Sequence, residues 1–302
     1  MFAFKNLQMY RITVAWPYTI DALNEHLSHA VFTPCAPAAK ESIGWIAPAK
    51  NTALAHSVGG QILIAIKHEQ KLLPASVVKR HAESKATEIA VREGRKVGRK
   101  EMRDLREASA LDLLPSSHSL EKVTYAWIDP ANGWLVVDSS SSPRAEMLLE
   151  QLRRSLPDQI GIKMCKLIVS PGAAMNGWIA EGTAPSGFTI DQDLELRSAE
   201  NGKVRYTKHT LEGEEIRQHI AAGKVATQLA LTWKDRLSFR LADTFAVRKV
   251  AFLDIIKESA DQTEVENEEE RFDADFALMT GELSGLIADL VAAMGGEVPA
   301  SQ

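Results

Sequence analysis

The sequence contains no uninterrupted apolar run of about 18 residues, so no membrane-spanning helix is expected. Its first stretch, MFAFKNLQMYRITVAW, lacks the charged-then-apolar plan of a signal peptide and alternates like a strand. Cysteine is almost missing: Cys35 and Cys165 are the 2 in 302 residues, far apart and without a neighbour at metal spacing. That excludes a disulfide framework and a zinc ribbon, and two reduced thiols in a cytoplasmic protein are the expectation. No GxGxxG, HExxH or GxSxG is present. Gly172-Ala-Ala-Met-Asn-Gly177 has the glycine spacing of a phosphate loop. Trp178-Ile179 stands where the lysine and the Mg²⁺-binding hydroxyl are needed, which removes that reading. Neither cysteine has the basic or histidine-rich context of a nucleophile. His26 and His29 have no companion ligand and read as surface polar residues. Asp273 and Asp275 could hold a divalent cation, but two carboxylates closing an acidic run are an unspecific pattern. None of these patterns supports a catalytic residue, a cofactor or a metal.

What the chain does have is charge unevenly placed. Its net charge of −5 conceals a segment, 79–106, with ten Lys or Arg against five Asp or Glu, a net of +5. A second segment, 254–275, carries ten acids against two bases, a net of −8. A nucleic-acid binder needs a local basic surface, not a basic total.

The basic segment reads KRHAESKATEIAVREGRKVGRKEMRDLR. Advancing about 100° per residue on one helix, Arg92, Arg95, Lys96, Arg99, Lys100, Arg103 and Arg106 fall within an arc of roughly 140°. Its apolar residues are scattered, so such a helix buries little and projects. A charged run is ordinarily just a solvated face. Two features argue for more: a stripe of one sign repels itself unless a partner neutralises it, and arginine's planar fork suits phosphate oxygens. Gly94 and Gly98 each weaken the helix by up to about 1 kcal/mol relative to alanine, leaving an element that an anionic ligand could order.

Elsewhere 45% hydrophobic content is enough for a real core divided among two or three units. Residues 2–16 read as a strand and Asp21–His29 as a helix capped by Asp21. Gln61–Lys67 reads as a central strand, and Val123–Ile128 with Trp134–Val137 as a hairpin. A helix is expected from Pro143 to about Leu156. Short strand-like runs are expected in 160–190. Residues 203–210 and 229–241 each read as one strand, the second placing Arg236 and Arg240 on the face opposite Leu237, Phe239 and Leu241. Lys203 and Arg205 share a face of theirs, an ordinary wet sheet surface being the competing account. Glu212–Ala222 reads as a helix stopped by Gly223. Residues 258–270 read as a solvated loop or frayed helix. Phe276, Met279, Leu283, Leu286, Ile287, Leu290, Val291 and Met294 mark an amphipathic helix, and disorder is expected after Gly295-Gly296.

Several pieces taken together resemble one family. They are Phe4-Lys5-Asn6-Leu7 with Tyr10-Arg11, Phe32-Thr33-Pro34-Cys35, Gly44-Trp45, Gly60-Gln61-Ile62 and Lys71-Leu72-Leu73-Pro74. Later come Leu113-Leu114-Pro115, Trp127-Ile128-Asp129, Gly223-Lys224-Val225, and Arg271-Phe272-Asp273-Ala274-Asp275-Phe276 through Met279-Thr280-Gly281-Glu282-Leu283. In this order they resemble RdgC, the recombination-associated bacterial family, over nearly the whole chain. The resemblance implies a mixed α+β protein of several small sub-domains: a curved subunit that closes into a ring-shaped homodimer around duplex DNA. On that plan 1–74 with 119–168 form a central α/β domain and 75–118 a helical basic finger. Residues 169–302 form a second α/β domain ending in the amphipathic helix.

The family's implied activity is DNA binding without sequence preference and restraint of RecA-promoted strand exchange. It implies no catalysis and a nucleoid-associated place in the cytoplasm. The choice between duplex and single strand is left open. Its basic lining falls on Arg92, Arg95, Lys96, Arg99, Lys100 and Arg103, with Lys203, Arg205, Lys208, Arg236 and Arg240 as weaker candidates. Ring closure falls on Leu113, Leu114 and His118, although Ser116, Ser117 and His118 stand where the resemblance leads one to expect an aromatic. Two other readings remain: a protein-interaction module meeting the recombinase directly, and a nuclease using Asp273 and Asp275.

Overall fold

Strand β1 (Asn6–Ile12) ties the architecture together, because both of its edges are paired in the computed structural model. The structure describes residues 1–158, 160–256, 258 and 267–299. Among them one antiparallel sheet of 12 strands runs β2-β4-β5-β6-β1-β12-β11-β10-β8-β9, with β3 on β4 and β7 on β1. β2 (Glu41–Ile46), β3 (Ala55–Val58), β4 (Gln61–Lys71), β5 (Ser119–Asp129) and β6 (Trp134–Val137) make the first half. β7 (Ile162–Met164), β8 (Phe188–Arg197), β9 (Lys203–Tyr206), β10 (Val225–Trp233), β11 (Leu237–Ala242) and β12 (Val247–Phe252) follow.

β4 carries consecutive buried residues from Ile62 to Ile66, as a strand covered on both faces must. One face packs with α1 (Ile20–Ser28) and α4 (Ser142–Ser155), whose Leu23, Leu27, Leu148 and Leu152 share a core with Tyr10, Trp45, Ile64 and Ile128. The other face contributes Leu63, Trp127 and Val136 to a second core. That core also holds Leu229, Leu231, Leu237 and Phe239 and residues of α5 (Pro171–Glu181) and α6 (Glu214–Ala221). The C-terminal helix, α7 (Glu268–Ala293), supplies Phe276, Met279, Leu283, Leu286, Ile287 and Leu290 to it. By length and composition α7 could cross a membrane, but its apolar stripe lies in this core. Burying each such side chain contributes about 1.5–3 kcal/mol. Near the start of α7, Asp275 accepts a hydrogen bond from the Phe2 amide at 2.6 Å, so the helix also holds the N-terminus.

Several elements differ from the sequence expectation. The basic segment is not one helix but a hairpin of α2 (Ala75–Glu93) and α3 (Arg99–Leu113). Gly94 adopts φ 65° and closes α2, its N–H donating to the Ala90 carbonyl, and Gly98 opens α3 in an extended conformation. Residues 229–241 form the β10–β11 hairpin, turned by Lys234 and Asp235 at φ 48° and 53°. Two successive left-handed residues are the type I′ solution, here without the usual glycine. Trp178-Ile179 lies on α5, capped by Ser170, whose Oγ accepts from the Ala173 amide at 3.3 Å. α1 is capped by Thr19 and not Asp21. Past Gly295-Gly296 the chain is held: the Val298 amide donates to the Lys166 carbonyl at 2.8 Å, and Arg11 pairs with Glu297 at 2.9 Å. Of the acidic 258–270 stretch, 259–266 lie outside the described residues, and α7 begins at Glu268.

Candidate nucleic-acid interface

The α2–α3 hairpin follows β4 and precedes β5, so it hangs from the end of one strand pair. Its interior is thin. Of its residues only Ala82, Ala86 and Ser109 are buried, small side chains that let the two helices approach closely. Lys85 and Asp112 pair across the hairpin, which lowers the Asp112 carboxyl below its ordinary range. An element that buries so little and carries so much charge is made for its surface.

Ending α2 at Gly94 redistributes the sequence's single stripe. Arg95 and Lys96 sit in the turn and not on a helix. Arg95 is committed internally: Nη1 and Nη2 donate to Glu101 at 2.7 and 2.8 Å, and Nε donates to Glu93 at 2.9 Å. The hydrogen bond from Arg92 and then that from Arg95 hold the Glu93 carboxyl below its ordinary range, and the bonds from Arg95 do the same at Glu101. Arg92 also pairs with Glu93, at 3.1 Å. Arg103 is loosely paired, 3.8 Å from Asp104 and 4.0 Å from Glu107. Lys96, Arg99, Lys100 and Arg106 are exposed and have no ion-pair partner among the described residues. On α3 geometry Arg99, Arg103 and Arg106 fall within roughly 60° of one another, so the free stripe belongs to α3 and the tip. Arg106, part of the stripe read from the sequence but not of the lining that the resemblance implied, joins the site.

The strand candidates lie elsewhere, on the solvent face of β8–β12. There a row of carboxylates, Asp191, Asp193 and Glu195, alternates along β8 and so points one way. Glu195 accepts from Arg205 Nη2 at 2.5 Å, Lys203 Nζ at 2.9 Å and Thr227 Oγ1 at 3.1 Å. Burial pushes this carboxyl up, but the hydrogen bonds from Lys203, Arg205 and Thr227 more than offset that and hold it at about 2. Asp193 accepts from the Lys208 amide at 3.0 Å and Arg240 Nη2 at 2.6 Å. The amide first, then Arg240 and the nearby Lys249 charge, lower its carboxyl. The Lys208 ammonium has no ion-pair partner among the described residues. Arg236 does not share the face of Arg240. It lies in the β10–β11 turn and folds over α7, where Nε donates to Glu282 at 2.7 Å. The turn absent from a one-strand reading is what redirects it.

The residues marked for ring closure divide. Leu114 is buried at the root of the finger, whereas Leu113 is half-buried and His118 exposed. Leu111 and Leu120 on either side are exposed apolar residues with no sequence signal of their own.

Asp273 and Asp275 are engaged within the fold. Asp273 meets His56 Nε2 at 2.6 Å, and Asp275 is buried against the N-terminal segment. Among the described residues no three His, Cys, Asp or Glu side chains group as metal ligands.

A family model described as "Putative exonuclease, RdgC" matches residues 1–297. The chain belongs to the RdgC family. A recombination-associated protein RdgC of Herminiimonas arsenicoxydans is 46% identical over 296 residues, covering 97% of this chain and 98% of the relative. One from Janthinobacterium sp. (strain Marseille) is 45% identical over 297 residues, covering 98% of each. One from Burkholderia ambifaria is 43% identical over 296 residues, covering 97% of this chain and 96% of the relative. The family description mentions an exonuclease, whereas the RdgC relatives are named for recombination and for no catalytic activity.

Proposed function

We propose that this protein is a non-catalytic DNA-binding member of the RdgC family that holds duplex DNA by its phosphates, without reading bases. The observation that carries this reading is the α2–α3 finger, an element with almost no core and with Lys96, Arg99, Lys100 and Arg106 exposed and unpaired among the described residues. Phosphate contacts position a protein but carry no sequence information, and cations displayed on a protruding hairpin suit that task. The finger with residues 75–118, a central unit of 1–74 with 119–168, and a unit from 169 onward then form a curved subunit. Two copies close into a ring, the Leu113 and His118 region with exposed Leu111 and Leu120 forming one seam. An encircled duplex is a poor partner for a RecA filament by occlusion alone. Asp273 and Asp275 take no part in chemistry, each being engaged with His56 or the N-terminus.

The test is titration of a labelled duplex at several salt concentrations, with light-scattering mass measured with and without duplex. Expected are binding at low salt to any sequence, a log K against log salt slope of about −0.9 per phosphate neutralised, and a dimer mass. Absence of binding at low salt, or a monomer on the duplex, overturns the reading. Plasmid incubated with Mg²⁺ or Mn²⁺ is expected to stay intact; degradation restores the nuclease reading.

A further inference from the structure

The outer edge of β8 changes character half-way along. β9 pairs only with Leu194–Arg197, so Phe188–Asp193 has β10 on one side and no strand on the other among the described residues. The chain covers that side incompletely. The His209 amide donates to the Gln192 carbonyl at 3.0 Å, and between there and the end of α5 a cavity of about 390 Å³ remains. Ile179, Phe188, Ile190 and Leu211 give it an apolar wall, and two carboxylates, Asp191 and Glu212, also line it. A cavity of this size with an apolar wall and a few polar groups is the usual form of a small-molecule site.

The carboxylates set it apart. Further along β8, Asp193 and Glu195 hold Arg240, Lys203 and Arg205. Asp191 has only the Thr232 hydroxyl, 3.2 and 3.0 Å from its two oxygens, and no ion-pair partner among the described residues. Burial pushes its carboxyl up, the Thr232 hydroxyl opposes this, and the Asp193 charge adds to the rise. Glu212 is likewise without a cation among the described residues. The cations close by are committed: Arg217, beside Gly182, lies 3.8 Å from Glu214, and Arg240 is held by Asp193.

We propose that this cavity is a binding site for an aliphatic diamine or polyamine, its methylene chain lying on the apolar wall and its ammonium groups on Asp191 and Glu212. An ionised carboxylate that is partly buried and unpaired is costly, and a cation beside it relieves the cost. Two such carboxylates match a ligand with two positive charges, which a single lysine or arginine side chain does not carry. A hydrated metal ion gains nothing from Ile179, Phe188, Ile190 and Leu211. An alkyl chain does, with each methylene it buries. Each ammonium donates three hydrogen bonds, enough for a carboxylate and for carbonyls along an uncovered strand edge. The inference goes beyond the DNA-binding reading and does not depend on it.

The test is isothermal titration of the full-length protein, without DNA, with putrescine and spermidine, set against butylamine, butanediol and Mg²⁺. It is repeated on Asp191→Asn and Glu212→Gln. Saturable binding of both polyamines is expected, with Mg²⁺ unable to displace them and butanediol giving no heat. Either substitution, like the use of butylamine, is expected to weaken binding about tenfold or more, because one charged hydrogen-bonded contact is lost. Glu212 is exposed, so its variant keeps the proposal testable if Asp191→Asn fails to fold. No binding of either polyamine, or butylamine binding as tightly as putrescine, overturns the proposal. So does undiminished binding in the folded variants, which would place the amines on the acidic surface at large of a protein with net charge −5. Because no duplex is present, these outcomes are separate from the success or failure of the DNA-binding reading.

Discussion

Arg95 and Glu101 face each other across the tip of the finger in two parallel hydrogen bonds of 2.7 and 2.8 Å, joining the turn to the first turn of α3. The arginine at the very tip is thus committed to the protein's own architecture. Its neighbours along α3 are the free ones, and the two groups predict different mutant behaviour.

Replacing Arg99, Arg103 and Arg106 together by alanine should weaken duplex binding equally across sequences. The log K against log salt slope should flatten by about 0.9 for each phosphate that is no longer neutralised. Fluorescence anisotropy at a series of salt concentrations measures both. A weakening that depends on base sequence contradicts phosphate-only recognition.

Arg95→Ala should act instead on the tip. Amides of residues 94–99 should exchange with deuterium faster, because the bonds to Glu93 and Glu101 are gone, while the salt slope changes less than in the α3 triple variant. Equal effects on slope would show Arg95 leaving Glu101 for DNA.

Acid should find Glu195. Its carboxyl lies at about 2 in the fold against an ordinary 4.5, so its stabilising contribution is complete above about 4.5 and is lost as pH falls through about 2. Urea unfolding of Glu195→Gln from about pH 6 to about pH 2 should therefore show a lower starting stability and a shallower fall than the wild type. Parallel curves would mean the carboxylate contributes no pH dependence.

Two glycines of α7 should respond in opposite directions. A Cβ on Gly285 would lie 3.0 Å from Trp233 Cη2, and that indole is anchored by Nε1 donating to Asp289 at 2.8 Å. Gly285→Ala should cost about 1–3 kcal/mol by overpacking, despite alanine's better helix propensity. At Gly281 a Cβ meets nothing within 4 Å, so alanine there should stabilise by up to about 1 kcal/mol. Denaturant midpoints compare the pair directly.

What could be read in advance, and what could not, follows the range of the forces involved. An unbroken apolar run located β4, turn residues located the β5–β6 hairpin and a period of 3.6 located α7, because each is a signal that the order of residues displays. Ser170, Pro171 and Gly182 were local signals for α5, masked by the bulky apolar residues between them. Lys234-Asp235 carried no conventional turn signal, so two strands read as one and Arg236 was assigned to the wrong face.

By itself the sequence determined the family, the mixed fold class, the main strand and helix periodicities, and the concentration of positive charge in 79–106. Only tertiary structure decided which cations are free. Whether Arg95, Arg205 or Arg240 faces solvent or a carboxylate depends on how Gly94 breaks a helix and on which strands the sheet places side by side. Ion pairing is set by a few ångströms between residues 6 to 47 positions apart, a distance that no pattern along the chain encodes.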